Sequence, residues 1–252
     1  MRTLILPYRA GSGSARALAR HMGVRRIKLA APRPFSARGK RIINWGASQW
    51  PPRILHIDEA RIINNPVCVK QAANKLSSFM IMSGHGVSTP DWTTNRDEAA
   101  DWLRAGNRVV VRQLLTAHSG RGIQVVTCVD DLEDAPLYSM YVKKIAEYRV
   151  HVVGGTIIDF AQKKRGPDWN GNNEVRNHSN GWVFAREDVE LPPPVAAEAL
   201  KAVAAFFLDF GAVDVLWNAN RQTAYVCEVN TAPGLEGTTL DRYAEALSNE
   251  HL

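Results

Sequence analysis

The segment CEVNTAPGLEG (Cys227–Gly237) is the most informative part of the chain. Glu228 and Asn230 stand two residues apart in an apolar run, and Pro233 and Gly234 then end that run at once. Because residues i and i+2 of a strand point to the same face, the carboxylate and the amide are predicted to project together from the end of a sheet. Paired oxygen-bearing side chains in such a place are typical of a binding site.

A second carboxylate belongs to the same predicted hairpin. Residues 212–230 (AVDVLWNANRQTAYVCEVN) form two predicted strands with a turn at 218–222, which brings Asp214 opposite the Glu228 region. Two carboxylates and an amide oxygen suit a hard cation, and Mg²⁺ usually completes its shell with water and substrate phosphates. Two interpretations remain open at this point: the three side chains hold magnesium, or the carboxylates only pair with nearby arginines.

The overall composition is that of an ordinary globular protein. The 252 residues are 45% hydrophobic and 22% charged, and no apolar run approaches the roughly 18 residues of a membrane span. The N-terminus lacks the apolar core of a signal peptide. The three cysteines, Cys68, Cys128 and Cys227, are far apart and are predicted to be buried, reduced thiols. We therefore expect a soluble protein of the cytoplasm, without a membrane partner.

Charge is distributed unevenly along the chain. Residues 1–57 contain twelve of the 31 Lys and Arg residues and no Asp or Glu, which leaves 19 basic and 25 acidic residues in the remainder. Such a segment is either a solvated basic surface or a surface that attracts an anionic substrate or partner. The sequence leaves both interpretations open.

The order of predicted elements divides the chain into two parts. Residues 1–68 read as a small, basic α/β domain, and residues 69–252 as a larger α+β region. One helix is predicted over 66–86, and a second begins at the prolines of 192–194 and closes on Gly211. A hairpin is predicted about Gly154 and Gly155.

A glycine-containing loop separates two further predicted strands. In residues 109–126 (VVVRQLLTAHSGRGIQVV), Ser119, Gly120 and Gly122 lie between two β-branched runs. Glycine lets backbone amides approach phosphate oxygens closely because it has no Cβ. The loop is a candidate phosphate-binding element, although many hairpins have similar turns.

Taken together, the order of these segments is similar to that of the ATP-grasp superfamily. EVNTAPG resembles the segment that carries the metal-binding Glu and Asn of D-alanine:D-alanine ligases and their relatives. NKLSSFMIMSGHGVSTP, SGRG and LYSMYVKKIAEYRVHVVGG resemble further segments of these enzymes, and EYRVHVV is especially similar to glutamate ligases that extend peptides. The match runs from about Asn74 to Thr239. It implies an α+β, ATP-grasp fold with a small N-terminal α/β domain, in which residues 69–252 form the nucleotide-binding and catalytic region.

The resemblance also implies roles for individual residues. The implied nucleotide-binding residues are Lys75, Arg112, Ser119, Gly120, Gly122, Tyr141, Val142, Lys143 and Glu147. The implied magnesium ligands are Asp214, Glu228 and Asn230. The implied catalytic residues, which would face the triphosphate or an acyl-phosphate, are Lys163 and Arg176.

One position departs from the family pattern. Many relatives have Lys followed by Pro in the strand before the glycine loop, whereas this chain has Arg112 and Gln113. Arginine also neutralises phosphate, but its planar fork is bulkier and reaches differently. The placement of the nucleotide is therefore expected to differ in detail.

The activity implied by the resemblance is that of an ATP-dependent carboxylate-amine ligase, which uses ATP and Mg²⁺ and forms an acyl-phosphate. A kinase on the same scaffold, a nucleotide-binding module without turnover and a nucleic-acid-binding protein are the alternatives. The expected substrates are small-molecule or peptide carboxylates and amines. The basic first segment adds a possible acidic macromolecule, either a nucleic acid or an acidic peptide, docked through Arg25, Arg26 and Arg41.

Overall fold

The computed structural model of the chain describes residues 1–116, 121–174 and 176–249. The strands are β1 (Arg2–Pro7), β2 (Arg25–Arg26), β3 (Phe35–Ser36), β4 (Lys40–Trp45), β5 (Ile54–Leu55), β6 (Arg61–Ile63), β7 (Trp92–Thr93), β8 (Val109–Arg112), β9 (Ile123–Val126), β10 (Leu137–Met140), β11 (Ala146–Val153), β12 (Thr156–Arg165), β13 (Trp182–Ala185), β14 (Phe210–Asn218) and β15 (Thr223–Asn230). The α-helices are α1 (Gly13–His21), α2 (Pro66–Ala73), α3 (Lys75–Gly84), α4 (Arg96–Arg104), α5 (Pro193–Ala205) and α6 (Thr238–Ser248).

The N-terminal part is built on a parallel sheet in the order β2-β1-β4-β6, with β3 and β5 paired separately. Helix α6, near the other end of the chain, packs on this part together with α1. Trp45 of β4 stacks on Phe210 with ring centroids 5.1 Å apart and meets Tyr243 of α6 edge-on at 5.4 Å. The first and last elements therefore share one core, and the division of the chain at residue 68 remains a proposal.

A central antiparallel sheet has the order β7-β10-β8-β9 and packs on α4. Asn95 caps α4 as its sequence predicts, since its side chain accepts a hydrogen bond from the amide of Asp97 at 2.8 Å. Glu98 does not complete a capping box, because its carboxylate accepts from the Thr93 hydroxyl at 2.6 Å. The cap therefore depends on Asn95.

The largest sheet is antiparallel, with the order β13-β12-β11-β14-β15. On one face, Tyr148 and Val150 of β11 belong to the apolar core that α5 covers. Alternation places Glu147, Arg149 and His151 on the opposite face of the same strand. One sheet thus presents an apolar face to the core and a charged face to the rest of the molecule. With the mixed sheets and helices, this confirms the predicted α+β class.

One end of that charged face is closed by a buried polar network, which we name the closed cluster. Its members are His151, Asp159, Arg186, Thr239, Arg242 and Tyr243. The Asp159 carboxylate accepts from Arg186 Nε at 3.2 Å, from Arg242 at 3.1 Å and from the Thr239 hydroxyl. His151 Nδ1 lies 3.1 Å from the Tyr243 hydroxyl. The network fastens the start of α6 to β11 and β12.

Two predicted helices differ from the structure. The helix predicted over 66–86 is broken at Asn74, whose extended backbone ends α2 and whose side chain caps α3 by accepting from Ser77 N at 3.0 Å. Helix α5 ends at Ala205 rather than at Gly211, because Phe207 adopts a left-handed backbone with φ of 53°. Gly211 instead lies within β14, where a Cβ would come 2.9 Å from Val229. The predicted hairpin about Gly154 and Gly155 is present.

All three cysteines are free thiols. Cys68 and Cys227 are partly buried, but Cys128 is exposed, so the expectation that all three are buried is wrong. Across the described ranges, every helix is too short or too polar to cross a membrane.

Candidate functional site

A cavity of about 1410 Å³ lies where the three larger sheets meet. Tyr8 and Trp50 line it from the N-terminal part, Arg112 from the central sheet, and Asp214 and Glu228 from the largest sheet. The space is large enough for a nucleotide together with a second ligand, since pockets for single drug-sized molecules occupy about 300–1,000 Å³. Most of the residues singled out from the sequence lie along its wall.

The floor of the cavity is the end of the β14–β15 hairpin. Asp214 and Glu228 stand directly opposite each other in the pairing register, as predicted. The register shifts after Asp214, so that Val215 pairs with Val226 and Cys227 is the extra residue of a bulge. The bulge explains why the adjacent residues Cys227 and Glu228 both line the cavity.

Both carboxylates are held by cations of the protein. Arg149 forms a two-pronged pair with Asp214, with Nε–Oδ1 and Nη2–Oδ2 distances of 2.7 and 2.8 Å. Lys75, at the start of α3, lies with its Nζ 2.9 Å from Glu228 Oε1. The interpretation that the carboxylates pair with basic residues therefore holds for both acids. Asp214 pairs with an arginine, and Glu228 pairs with a lysine.

The predicted nucleotide residue Glu147 is held in the same way. Lys163 donates to its Oε1, and Lys144 lies 3.4 Å from its Oε2. We name the resulting set the charged row. Its members are Lys75, Lys144, Glu147, Arg149, Lys163, Asp214 and Glu228.

Neighbouring charges shift the pKa values of three groups of the charged row. Burial by itself would raise the pKa of Asp214, but Arg149 and Lys163 outweigh burial and lower it to about 2. Burial would lower the pKa of Lys163, and the negative charges of Asp214 and Glu147 raise it instead. Arg149 behaves likewise, with its pKa raised by Asp214 against the effect of burial. The neighbouring charges therefore favour the charged forms of Asp214, Lys163 and Arg149 against the effect of burial.

The donor set of the predicted metal site can be tested against this geometry. In residues 1–116, 121–174 and 176–249, no three His, Cys, Asp or Glu side chains form a metal-binding group. The predicted third ligand, Asn230, is an amide at the end of β15, and its Nδ2 is buried without a hydrogen-bond partner. If the Asn230 amide is turned over, its oxygen takes the position of Nδ2. The two carboxylates of Asp214 and Glu228 and this amide oxygen then form a donor set that fits a hard cation such as Mg²⁺.

Arg112 is a buried cation of the cavity wall. Only 8% of it is exposed, its Nε has no hydrogen-bond partner, and in the described part of the chain it forms no ion pair. Its guanidinium lies over the Phe79 ring at 5.6 Å, and burial lowers its pKa. Burial raises the pKa of the neighbouring Cys227 thiol to about 11. Arg112 thus lies next to a neutral thiol and forms no ion pair within the described residues. Such a buried arginine is suited to bind an anionic ligand.

The segment between β10 and β11 (residues 141–145), which we name the hinge, forms another wall of the cavity. Tyr141 and Val142, two of the predicted nucleotide-binding residues, line the cavity, whereas Lys143 is exposed outside it and Lys144 takes its place in the lining. Arg108 stacks on the Tyr141 ring at 4.3 Å. Neighbouring side chains of an extended segment point to opposite sides, so only one of the two lysines can face the cavity. The sequence by itself does not show which of them does.

Arg176 also lies beside this hinge. Its Nη1 donates to the Ile145 carbonyl at 3.3 Å, its guanidinium stacks on Trp182 at 4.6 Å, and burial lowers its pKa. These contacts put Arg176 at the hinge wall, on the cavity lining. Its assignment as a catalytic residue remains a prediction, as does that of Lys163.

The glycine loop is only partly described. Ser119 and Gly120, two of the predicted phosphate contacts, lie outside the described residues. Gly122 has a φ of 68° and its carbonyl accepts from the Gln113 amide at 2.9 Å, so it closes the β8–β9 turn. Arg121 beside it lines the cavity.

The basic N-terminal residues differ in their exposure. Arg25 is exposed and Arg26 half-buried, which leaves both available to a partner. Arg41 is buried and donates to the carbonyls of Leu247 and Asn249 at 2.6 and 3.1 Å. These carbonyls lie at the C-terminal end of α6, where a cation is favourable for the helix dipole. The proposal that Arg41 contacts a polyanion is therefore wrong.

Sequence reasoning left Arg149 and Lys144 out of the site. Arg149 stands two residues after Glu147 on β11, so strand alternation could have placed both on one face. Its pairing with Asp214 depends on the β11–β14 ladder, whose strands are more than fifty residues apart.

Comparison with solved structures identifies the fold. The chain superimposes on the ATP-grasp ligase PsnB, solved in complex with a minimal precursor, with a TM-score of 0.72, 11% identity and 98% coverage of both chains. The D-alanine–D-alanine ligase of Bacillus anthracis gives a TM-score of 0.66 and 18% identity, over 98% of this chain and 92% of the other. The chain has the ATP-grasp fold, which confirms the resemblance drawn from its segments.

Sequence comparison points in the same direction. The chain is 28% identical over 190 residues to a protein of Marinomonas sp. (strain MWYL1) named as a probable alpha-L-glutamate ligase, over 69% of this chain and 60% of that protein. The chain thus spans about 60% of the length of this curated relative. No family model matches the chain.

Proposed function

We propose that this chain is an ATP-dependent ligase that joins a carboxylate to an amine through an acyl-phosphate. The observation that carries the proposal is a set of buried donors without partners. Arg112 and Arg176 line the cavity, and the Nε of each is buried with no hydrogen-bond partner. Because both are donors, they suit a ligand rich in acceptor oxygens, such as a nucleotide triphosphate or a carboxylate.

The cavity wall suggests how the nucleotide would lie. Tyr141 and Val142 at the hinge would border the base, and Lys75 and Arg112 would neutralise the phosphates. Gly122 and the glycine loop would cover the phosphates. Glu147 would lie near the ribose or the substrate.

Asp214, Glu228 and Asn230 would hold magnesium. When bound, the ion would neutralise charge that gathers on the transferred phosphoryl group. The protein would contribute the fixed positions of these oxygens on two paired strands. Arg149 and Lys75 would supply further positive charge around the same oxygens.

A ligase of this kind needs both activation and exclusion of water. A carboxylate is a poor electrophile, and phosphorylation gives it a good leaving group that water must not reach first. Arginine forks in the lining would hold the substrate carboxylate by paired hydrogen bonds. Lys163 would face the phosphoryl group and Arg176 the nucleotide side of the cavity.

For the substrates, we propose carboxylates and amines on small molecules or peptides. The similarity to a probable alpha-L-glutamate ligase and to PsnB, solved with a precursor, supports this class. The charge of residues 1–57 favours an acidic peptide as the carrier of the acceptor, docked through Arg25 and Arg26. Such docking would weaken as the salt concentration rises.

The test is release of ADP and phosphate from ATP and Mg²⁺ across a panel of amino acids, neutral peptides and acidic peptides at two salt concentrations. Each reaction runs with and without hydroxylamine. We expect a trapped hydroxamate with the wild type, and at least about a hundredfold slower turnover for Glu228→Gln. Glu245→Gln, an exposed glutamate of α6, is the matched control and should keep full activity.

Three results would contradict the proposal in whole or in part. ADP formation with a phosphorylated hydroxyl product would assign the kinase activity instead. Binding of ATP without turnover of any panel member would favour a nucleotide-binding module. Turnover that Glu228→Gln retains would remove Glu228 from the site.

A further inference from the structure

We propose that Arg149 and Lys75 are internal counter-ions that exclude free metal ions, so that the metal enters the site only together with the nucleotide. The inference rests on the proposed magnesium site at Asp214, Glu228 and Asn230. It concerns the order of binding, which the proposed function leaves open.

The first observation is that the carboxylates are already engaged. Both oxygens of Asp214 accept from Arg149, and Glu228 Oε1 faces the Lys75 ammonium at 2.9 Å. A metal ion that approaches either acid therefore meets a cation within a few ångströms of it. Two like charges about 4 Å apart repel by roughly 4 kcal/mol at the effective dielectric near a protein surface.

The second observation is the charge balance of the charged row. The charged row contains four cations against three carboxylates. Buried Arg112, which has no acid of its own in the described chain, adds a further positive charge. A divalent cation alone would thus enter a site that is already positive, whereas a nucleotide triphosphate brings the negative charge that the floor lacks.

The third observation is that the counter-ions can change partners. Arg149 lies over Phe184 at 4.5 Å, and its side chain is 23% exposed toward the cavity. Lys75 is on the first turn of α3 and lines the same cavity. Phosphate oxygens offer both groups new acceptors, and this exchange frees Asp214 and Glu228 for the metal without leaving a buried charge unpaired.

The test measures Mn²⁺ binding by electron paramagnetic resonance, which counts free ions directly. The wild-type protein is expected to bind Mn²⁺ weakly by itself and, with a non-hydrolysable ATP analogue, at least about tenfold more tightly than either the protein alone or the analogue alone. Arg149→Gln should bind Mn²⁺ without nucleotide at least about tenfold more tightly than the wild type. Arg165→Gln, which removes an arginine stacked on Trp169 outside the cavity lining, is the matched control.

A second variant keeps the test informative if Arg149→Gln does not fold. Lys75→Met frees Glu228 from its counter-ion and should also gain Mn²⁺ binding without nucleotide. Adding Asp214→Asn to either variant should abolish that gain. Wild-type binding of Mn²⁺ alone as tight as in Arg149→Gln would overturn the inference. A gain in Mn²⁺ binding over the analogue alone that survives Asp214→Asn and Glu228→Gln would instead overturn the metal site of the proposed function.

Discussion

The charged row and the closed cluster occupy one face of the same sheet, and both pair an aspartate with arginine. Asp214 of the row faces the cavity, and its partner Arg149 is 23% exposed. Asp159 of the cluster is 2% exposed, lies outside the cavity lining, and accepts from three donors. The two sets therefore differ in their access to the cavity rather than in the type of ion pair.

The strongest test of this comparison is Asp159→Asn. The substitution removes the buried acid that Arg186, Arg242 and the Thr239 hydroxyl share, so we expect the loss of its charge-assisted hydrogen bonds to lower the free energy of unfolding by about 3–5 kcal/mol. Urea unfolding measures the loss. Asp241→Asn, on the exposed side of α6, should stay within about 0.5 kcal/mol of the wild type. A variant with unchanged stability but lost turnover would move Asp159 into the functional region.

The second test is the pH dependence that the cluster imposes. Burial lowers the pKa of His151 from 6.5 to about 4, in spite of Asp159 and Asp214 and with the help of Arg149 and Arg186. The unfolded chain therefore binds a proton between these two pH values that the folded chain rejects.

Because the folded chain rejects this proton, protonation of His151 in the unfolded chain should lower the free energy of unfolding by about 3 kcal/mol as the pH falls from 6.5 to 4. Above pH 6.5, His151 should have little effect on the free energy of unfolding. The acid-induced loss should be smaller in His151→Gln and unchanged in His21→Gln, which alters an exposed histidine of α1. Equal losses in all three proteins would contradict the assignment.

The smallest expected effect on stability comes from Arg112, a buried cation on the cavity side. Because its Nε has no partner, Arg112→Met should raise the free energy of unfolding by about 1 kcal/mol. The same change should weaken binding of an ATP analogue by about tenfold or more, since a charge-assisted hydrogen bond is lost. Calorimetry of binding and urea unfolding measure the two effects, with Arg165→Met as control. A loss of stability would place Arg112 with the closed cluster.

The sequence predicts local pairings well and distant ones poorly. Asp214 faces Glu228 as expected because a short turn joins their strands. The Arg149–Asp214 pair escaped prediction because β11 and β14 meet only after an intervening hairpin and helix. The break at Asn74 was missed for a different reason. Residues on both sides of it favour a helix, and the break depends on the extended backbone of Asn74, its side-chain cap to Ser77 and a hydrogen bond from the Lys75 amide to the distant Leu115 carbonyl at 2.8 Å.

The place of α6 has a consequence for how the protein is made. Tyr243 and Leu247 of α6 share a core with Leu18 and Trp45, so the N-terminal sheet is covered only after about two hundred further residues have been added. At about 5–20 residues per second, the ribosome needs on the order of ten seconds or more for that stretch. During this interval the first part of the nascent chain carries exposed apolar surface, and its final packing waits for the last helix.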